Sequence, residues 1–134
     1  MSVEHVNPDT LFKLPGFGQI SIPPAGKRLA FVAGQTALDA GFQIQAEGFA
    51  EQVQHAVDNV IHALDALNAT PDDVVHMTFY IVGLSDERFQ QFAQAWATSL
   101  GGQPFPSCAS AVIGVERLAL SGLLVEMSAV VAID

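Results

Sequence analysis

The sequence is poor in charge, and in basic residues above all. Only 14% of its 134 residues are charged, whereas an ordinary soluble domain carries about 25%. Five basic residues stand against 14 acidic ones, so the formal net charge is −9. Phosphate backbones would be repelled by such a chain, and we therefore expect no nucleic-acid partner.

Other features that would place the chain in a membrane or outside the cell are also missing. Cys108 is the single cysteine, so no disulfide can form within the chain. The first residues lack the basic and apolar stretches of a signal peptide. The apolar runs stay well below the roughly 18 residues that a membrane-spanning helix needs. Together these absences predict a cytoplasmic protein with no membrane partner.

What the sequence has in excess is apolar material. Half of the residues are hydrophobic, which leaves too little polar surface to coat a monomer. Because obligate interfaces between subunits resemble a hydrophobic core cut in half, this excess predicts a homo-oligomer.

Hydrophobic periodicity predicts one α+β domain over residues 1–134, with the element order ββαβαββ. The first fifteen residues are expected to be irregular. Strands are predicted at residues 19–22, 28–34, 74–82, 109–115 and 123–133, and helices at residues 49–67 and after Ser85 up to Gly101. The first two strands are expected to form a hairpin around the turn at residues 24–27.

Each predicted helix has a single apolar stripe, so both should pack on one face of a mostly antiparallel sheet. The last strand is apolar on both of its sides, which indicates that the opposite face of the sheet is covered too. A second copy of the chain is the expected cover.

Four short motifs occur along the chain in a recognisable order: Val32-Ala33-Gly34-Gln35, Glu51-Gln52-Val53-Gln54 with Asp58-Asn59-Val60, Asp72-Asp73-Val74-Val75, and Leu124-Val125-Glu126-Met127. In order and spacing they resemble the motifs of the Rid (YjgF) family over roughly residues 16–134. The resemblance implies a chorismate-mutase-like fold and a homotrimer whose sheets form an inner barrel. It also implies three small-molecule clefts between subunits.

The resemblance further implies a chemistry, but one residue needed for it is absent. Family deaminases hydrolyse 2-imino acids and their enamine tautomers to 2-keto acids and ammonia, with an arginine in a Pro-Ala-Arg-Ser segment clamping the substrate carboxylate. Here that segment reads Pro106-Ser107-Cys108-Ala109-Ser110. Arg117 lies too far along the strand to replace the arginine without a large shift of register, and is expected at the rim. The segment is also one or two residues longer than the family pattern, which a β-bulge could absorb.

The other cleft positions implied by the resemblance have lost polar groups. The family's tyrosine aligns with Phe17, its serine before Gly34 with Ala33, and its helix asparagine with Ala93. The predicted substrate-binding residues are therefore Phe17, Ala33, Gly34, Ala93, Ser107, Cys108, Ala109 and Ser110. Glu126 aligns with the glutamate that positions the attacking water, and it is the predicted catalytic residue.

Less specific features have ordinary structural explanations. Cys108 could be a nucleophile, but a lone cysteine is more often a small buried hydrophobic residue. His55 and His62 are seven residues apart and lack the spacing of a helical metal-binding pair, so no metal or cofactor is expected.

Two function classes remain open from the sequence. In the first, a homotrimer binds a small neutral or apolar metabolite, or a protein partner, without chemistry. In the second, the protein is an enamine or imine deaminase of altered substrate that uses Glu126. An endoribonuclease activity, a label attached to some relatives, conflicts with the acidic charge.

Overall fold

The computed structural model describes residues 2–134, which form two helices, six strands and one short 3-10 turn at Pro71–Asp73. In chain order the main elements are β1 (Glu4–Val6), β2 (Ile20–Ile22), β3 (Arg28–Gln35), α1 (Phe49–Ala66), β4 (Val74–Val82), α2 (Asp86–Ala97), β5 (Ala109–Val115) and β6 (Val125–Ile133). Neither helix has the length and apolarity that a membrane crossing requires.

The main sheet has four strands in the order β3-β6-β4-β5. Strand β6 runs antiparallel to both β3 and β4, whereas β5 runs parallel to β4. The pairing of β5 with β4 is continuous from His76 opposite Ala109 to Val82 opposite Val115, so the bulge considered for this segment is absent. The predicted α+β class with a mostly antiparallel sheet is confirmed.

Both helices pack on one face of the sheet, as their apolar stripes predict. The stripe of α1 is buried at every turn: Phe49, Val53, Val57, Val60 and Leu64. The second helix contributes Phe92 and Trp96 to the same core, where both rings contact Phe79 of β4. Ser85 caps α2 by accepting a hydrogen bond from the Arg88 backbone, and the helix ends at Ala97, before the two glycines predicted to end it.

No helix or strand within residues 2–134 covers the other face of the sheet. On β3, Leu29 and Phe31 point away from the core, and Phe31 is 78% exposed. Ile113 of β5 is also exposed on this side. An uncovered sheet face with exposed apolar residues is the surface that the sequence predicted a second copy would cover.

The N-terminal part of the chain corrects two predictions. Residues 4–6 are not irregular, since they form strand β1. Strand β2 pairs with β1 rather than with β3, so the predicted hairpin is wrong. The turn at Pro24 and Gly26 does form, but the two strands that flank it separate: β3 lies at one edge of the main sheet, whereas Ser21 of β2 bonds Ala109 at the opposite edge.

Candidate functional site

An apolar cavity of about 730 Å³ lies between the loop before β2, helix α2 and strands β4 and β5. Its volume falls in the range typical of small-molecule sites. The lining is almost entirely hydrophobic: Phe12, Leu14, Pro15, Gly16, Phe17, Phe79, Phe89, Phe92, Ala93, Trp96, Ala97, Pro104, Ser110, Ala111 and Val112. We call this space the aromatic cavity.

Two groups of aromatic rings form the walls of the aromatic cavity. On the loop side, Phe12 and Phe17 stack with ring centroids 5.3 Å apart. On the core side, Phe79 lies 4.9 Å from Phe92 and 4.9 Å from Trp96, measured between centroids. The inner wall is fixed by core packing, whereas Phe12 is largely exposed.

Three of the predicted substrate-binding residues line the aromatic cavity: Phe17, Ala93 and Ser110. Ala93 lies on the exposed side of α2, one turn before Ala97. Ser110 is the one lining residue with a hydroxyl group. These three residues lie on the loop before β2, on α2 and on β5.

Next to the aromatic cavity, Cys108 and Ala109 connect the start of β5 to the N-terminal part of the chain through hydrogen bonds. The Gly18 backbone N–H donates to the Cys108 carbonyl at 3.0 Å, and the Ala109 N–H donates to Ser21 Oγ at 2.8 Å. A Cβ on Gly18 would lie 2.8 Å from the carbonyl carbon of Cys108, so only glycine permits this approach. Ser107 precedes the two hydrogen-bonded residues and does not line the aromatic cavity.

Cys108 is buried, and its environment suppresses thiolate chemistry. Burial raises the pKa of the Cys108 thiol to about 12, while a hydrogen bond with the Met77 backbone acts in the opposite direction. The reactive form of a cysteine is the thiolate, which is almost absent near neutral pH at such a pKa. Cys108 is a core residue, as the sequence favoured, rather than a nucleophile.

Glu126 lies on the open face of the sheet, on the opposite side from the core residues Val125 and Met127. Its side chain lies over Gly34 of β3. A Cβ on Gly34 would be 2.5 Å from both Cδ and Oε2 of Glu126, so the carboxylate occupies space that only glycine leaves free. Ala33 precedes Gly34 on the exposed edge strand.

Gly34 also lines a second, more polar groove of about 780 Å³ between α1 and the loop after β3. His55 and His62 border this groove. Within residues 2–134, no group of three or more His, Cys, Asp or Glu side chains is arranged to hold a metal ion. His76 lies elsewhere, on the open sheet face beside Val130.

Within the chain, Glu126 and the 107–110 segment do not meet. Strand β4 pairs Tyr80 with Glu126 on one side and His76 with Ala109 on the other. Four residues along a strand span about 13 Å, and two strand spacings add about 10 Å across the sheet. The Cα atoms of Glu126 and Ala109 are therefore roughly 16 Å apart.

None of the five basic residues lines the aromatic cavity. Lys13 bonds Asp9, and Lys27 and Arg28 bond Asp134. Arg88 donates to the Val82 carbonyl and lies over the Phe49 ring. Arg117 donates to the carbonyls of its own loop, past the far end of β5 from Ser110.

Part of the aromatic cavity was not predicted from the sequence. Phe12 and Leu14 fell in the segment expected to be irregular, and Phe89 and Trp96 were assigned only to the core stripe of α2. A usable signal was present, since apolar residues at 11, 12 and 14 in a loop bounded by Pro8 and Pro15 need a surface to cover.

Comparison with protein families gives a match over residues 23–133 to the family described as Endoribonuclease L-PSP. A comparison with curated proteins finds no significant match. Among solved structures, the Rid-family protein YyfB of Yersinia pestis, itself of unknown function, is 31% identical over 99% of this chain and 100% of its own, with a TM-score of 0.86.

More distant relatives share the fold. A YjgF/YER057c/UK114 family member from Mycobacterium tuberculosis is 26% identical over 89% of this chain and 88% of its own, with a TM-score of 0.61. RidA of an Antarctic Psychrobacter is 20% identical over 97% of this chain and 99% of its own, with a TM-score of 0.67. These likenesses confirm the predicted chorismate-mutase-like fold. The chain belongs to the Rid (YjgF) family.

Proposed function

We propose that the protein is a cytoplasmic homotrimer that binds a small, neutral or apolar metabolite in clefts between its subunits, without the imino-acid turnover of the family's deaminases. The observation that carries this proposal is the aromatic cavity, whose wall contains no basic side chain.

A carboxylate ligand would be held poorly at such a site. Moving an ionised carboxylate out of water costs several kcal/mol unless a cation and hydrogen bonds replace the lost hydration. An arginine supplies two parallel hydrogen bonds to a carboxylate, and Ser107, Cys108, Ala109 and Ser110 supply no cation in its place. A neutral ligand avoids this cost and benefits from the apolar walls.

A shared cleft is supported by where the candidate residues lie. Glu126 and Gly34 lie on the open sheet face, roughly 16 Å from the segment that borders the aromatic cavity in the same subunit. A neighbouring subunit that covers the open face would bring its own residues to this region. The exposed Phe31 and Leu29 supply the apolar surface for that contact.

The alternative is deamination of an altered enamine or imine substrate with Glu126 handling water or a proton. It is favoured by one observation: the carboxylate of Glu126 lies over Gly34, a residue with no side chain. A carboxylate in a ligand cleft can act as a general acid or base.

An assay of imine hydrolysis distinguishes ligand binding without chemistry from deamination. An amino-acid oxidase or dehydratase generates 2-iminopropanoate or 2-iminobutanoate in place, and keto-acid release is followed with and without the protein. We expect no acceleration over the spontaneous rate, because the carboxylate clamp is missing. Acceleration that vanishes in Glu126→Ala but survives in Glu47→Ala, an exposed carboxylate elsewhere, would establish the alternative.

A second measurement addresses the bound ligand directly. Native mass spectrometry of the protein extracted from its source cells should show a trimer that carries a small neutral molecule. A trimer that carries only anionic metabolites would contradict the proposal.

A further inference from the structure

Trp96 is the only tryptophan of the chain, and it lines the aromatic cavity. Its ring lies 21° from parallel with Phe92 at 5.9 Å and 26° from parallel with Phe105 at 4.7 Å, between centroids. The indole thus stacks with two core rings. The Cδ1 edge lies 3.8 Å from where a Cβ on Gly16 would be, and Gly16 borders the cavity.

Two side-chain polar groups of the cavity wall are left without a protein partner. Within residues 2–134, neither the indole N–H of Trp96, which adjoins Cδ1, nor the hydroxyl of Ser110 takes part in a hydrogen bond. Neither is a sealed, unsatisfied atom, since no such atom occurs in the described part of the chain. Both groups therefore keep some accessible surface, and both belong to residues that line the aromatic cavity. An apolar pocket with a few such groups is the usual form of a small-molecule site.

The absence of charged side chains from the cavity wall limits the ligand to uncharged molecules. No acidic or basic side chain lines the aromatic cavity, so neither an anion nor a cation would be compensated there. The wall contains the stacked Phe12 and Phe17 rings together with Phe79, Phe89 and Phe92. Aromatic rings prefer offset or edge-to-face contacts with other rings.

We infer that the aromatic cavity takes an uncharged molecule with an aromatic ring and a hydrogen-bond acceptor attached to it, such as an aryl ketone or aldehyde. The ring lies among the phenylalanines, and the acceptor receives hydrogen bonds from Trp96 Nε1–H and Ser110 Oγ–H. This inference rests on the proposed function, because it takes the aromatic cavity as the ligand-binding part of the cleft.

The single tryptophan allows a direct test by NMR. A ¹⁵N-labelled sample of the full chain gives one indole N–H cross-peak, which is titrated with acetophenone and three matched probes. Cyclohexyl methyl ketone lacks the aromatic ring, ethylbenzene lacks the acceptor, and benzoate carries a charge. We expect a saturable shift with acetophenone, roughly five-fold weaker affinity for the first two probes, and no shift with benzoate.

Variants locate the binding within the aromatic cavity. Ala93→Phe should abolish the acetophenone shift by filling the mouth of the cavity, whereas Gln90→Phe, on an exposed position of α2 that does not line it, should not. Ser110→Ala should weaken acetophenone about five-fold and leave ethylbenzene unchanged. Retained binding in Ala93→Phe overturns the inference.

The other outcomes separate this inference from the proposed function. If cyclohexyl methyl ketone binds as tightly as acetophenone, the aromatic ligand class is wrong while a neutral ligand stands. If benzoate binds most tightly, both are wrong. If no probe moves the indole signal, a side chain of a neighbouring subunit fills the aromatic cavity, and the inference is wrong while a ligand found by native mass spectrometry would still support the proposed function.

Discussion

At the scale of single residues, the contact between Gly34 and Glu126 links two positions that are 92 residues apart in the chain. A methyl group at position 34 would lie 2.5 Å from the carboxylate carbon of Glu126, well inside van der Waals contact. The carboxylate is at the end of a flexible side chain and can move away. A substitution at Gly34 is therefore expected to displace Glu126 more than it unfolds the protein.

This contact predicts a coupling in a double-mutant cycle. Gly34→Ala should destabilise the protein when Glu126 is present and cost less in the Glu126→Ala background, with a coupling energy of about 0.5–1 kcal/mol. The free energies of unfolding in urea give the cycle. Additive effects of the two substitutions would show that the two side chains do not compete for the same space.

Cys108 predicts a specific dependence of stability on pH. The folded pKa of about 12 lies above the value of about 8.5 for an unfolded cysteine, so the stability linked to the neutral thiol is complete below 8.5 and lost as pH rises toward 12. Between pH 9 and 10.5 the free energy of unfolding should fall by about 1.4 kcal/mol per pH unit more in the wild type than in Cys108→Ala. Equal slopes would contradict the burial of a neutral thiol.

At the scale of elements, Gln52 connects α1 to the loop before this helix and to the loop before β6. Its side-chain amide donates to the carbonyls of Ala46 and Gly122, and its oxygen accepts from the Leu124 N–H, all within 3.0 Å. The residue is fully buried. This polar residue interrupts the apolar surroundings because it pairs backbone groups that no strand satisfies.

Replacing Gln52 with leucine should leave those three backbone groups unpaired and cost about 3 kcal/mol or more of stability. Chemical denaturation measures the loss, with Gln91→Ala on the exposed side of α2 as the control. A loss below about 0.5 kcal/mol would mean that water or a local shift replaces the three bonds.

Some helices and strands could be predicted from the sequence, and others could not. The α1 stripe from Phe49 to Leu64 was readable because burial on one face of a helix imposes a period. Strand β1 was not readable, since Glu4, His5 and Val6 include a single apolar residue and show no alternation. The partner of β2 was mispredicted because the local turn at Gly26 forms without fixing the pairing, which depends on the distant bond from Ala109 to Ser21.

The candidate site was predictable only in part, for a related reason. Phe17, Ala93 and Ser110 could be placed through family motifs, and the structure brings them to one cavity. Phe12 and Trp96 could not, because a ring that lines a cavity and a ring that fills the core have the same sequence signal. The separation of Glu126 from Ala109 follows from strand pairing, which the sequence did not reveal.

At the scale of the whole molecule, the open sheet face explains the apolar composition. A monomer would leave Phe31 78% exposed beside other apolar residues, including Leu29 and Ile113. An interface that covers them would also bring Glu126 of one subunit toward the cavity region of another. The proposed interface would account both for the excess of hydrophobic residues and for the separation of Glu126 from the aromatic cavity.

Phe31→Glu tests that explanation. On a free surface the substitution would change stability by less than about 0.5 kcal/mol, whereas within an interface it buries a charge and should dissociate the assembly. Size-exclusion chromatography with light scattering reports the mass. Phe42→Glu, which alters a similarly exposed phenylalanine in the loop after β3, is the control and should leave the mass unchanged.

Sedimentation velocity of the wild-type protein at micromolar concentration tests the central claim, a ligand site shared between subunits, most directly. The proposed homotrimer should sediment as one species of about 43 kDa, three times the mass of the 14.2 kDa chain. A single species near 14.2 kDa would contradict it, because one subunit alone keeps Glu126 away from the aromatic cavity and its site incomplete.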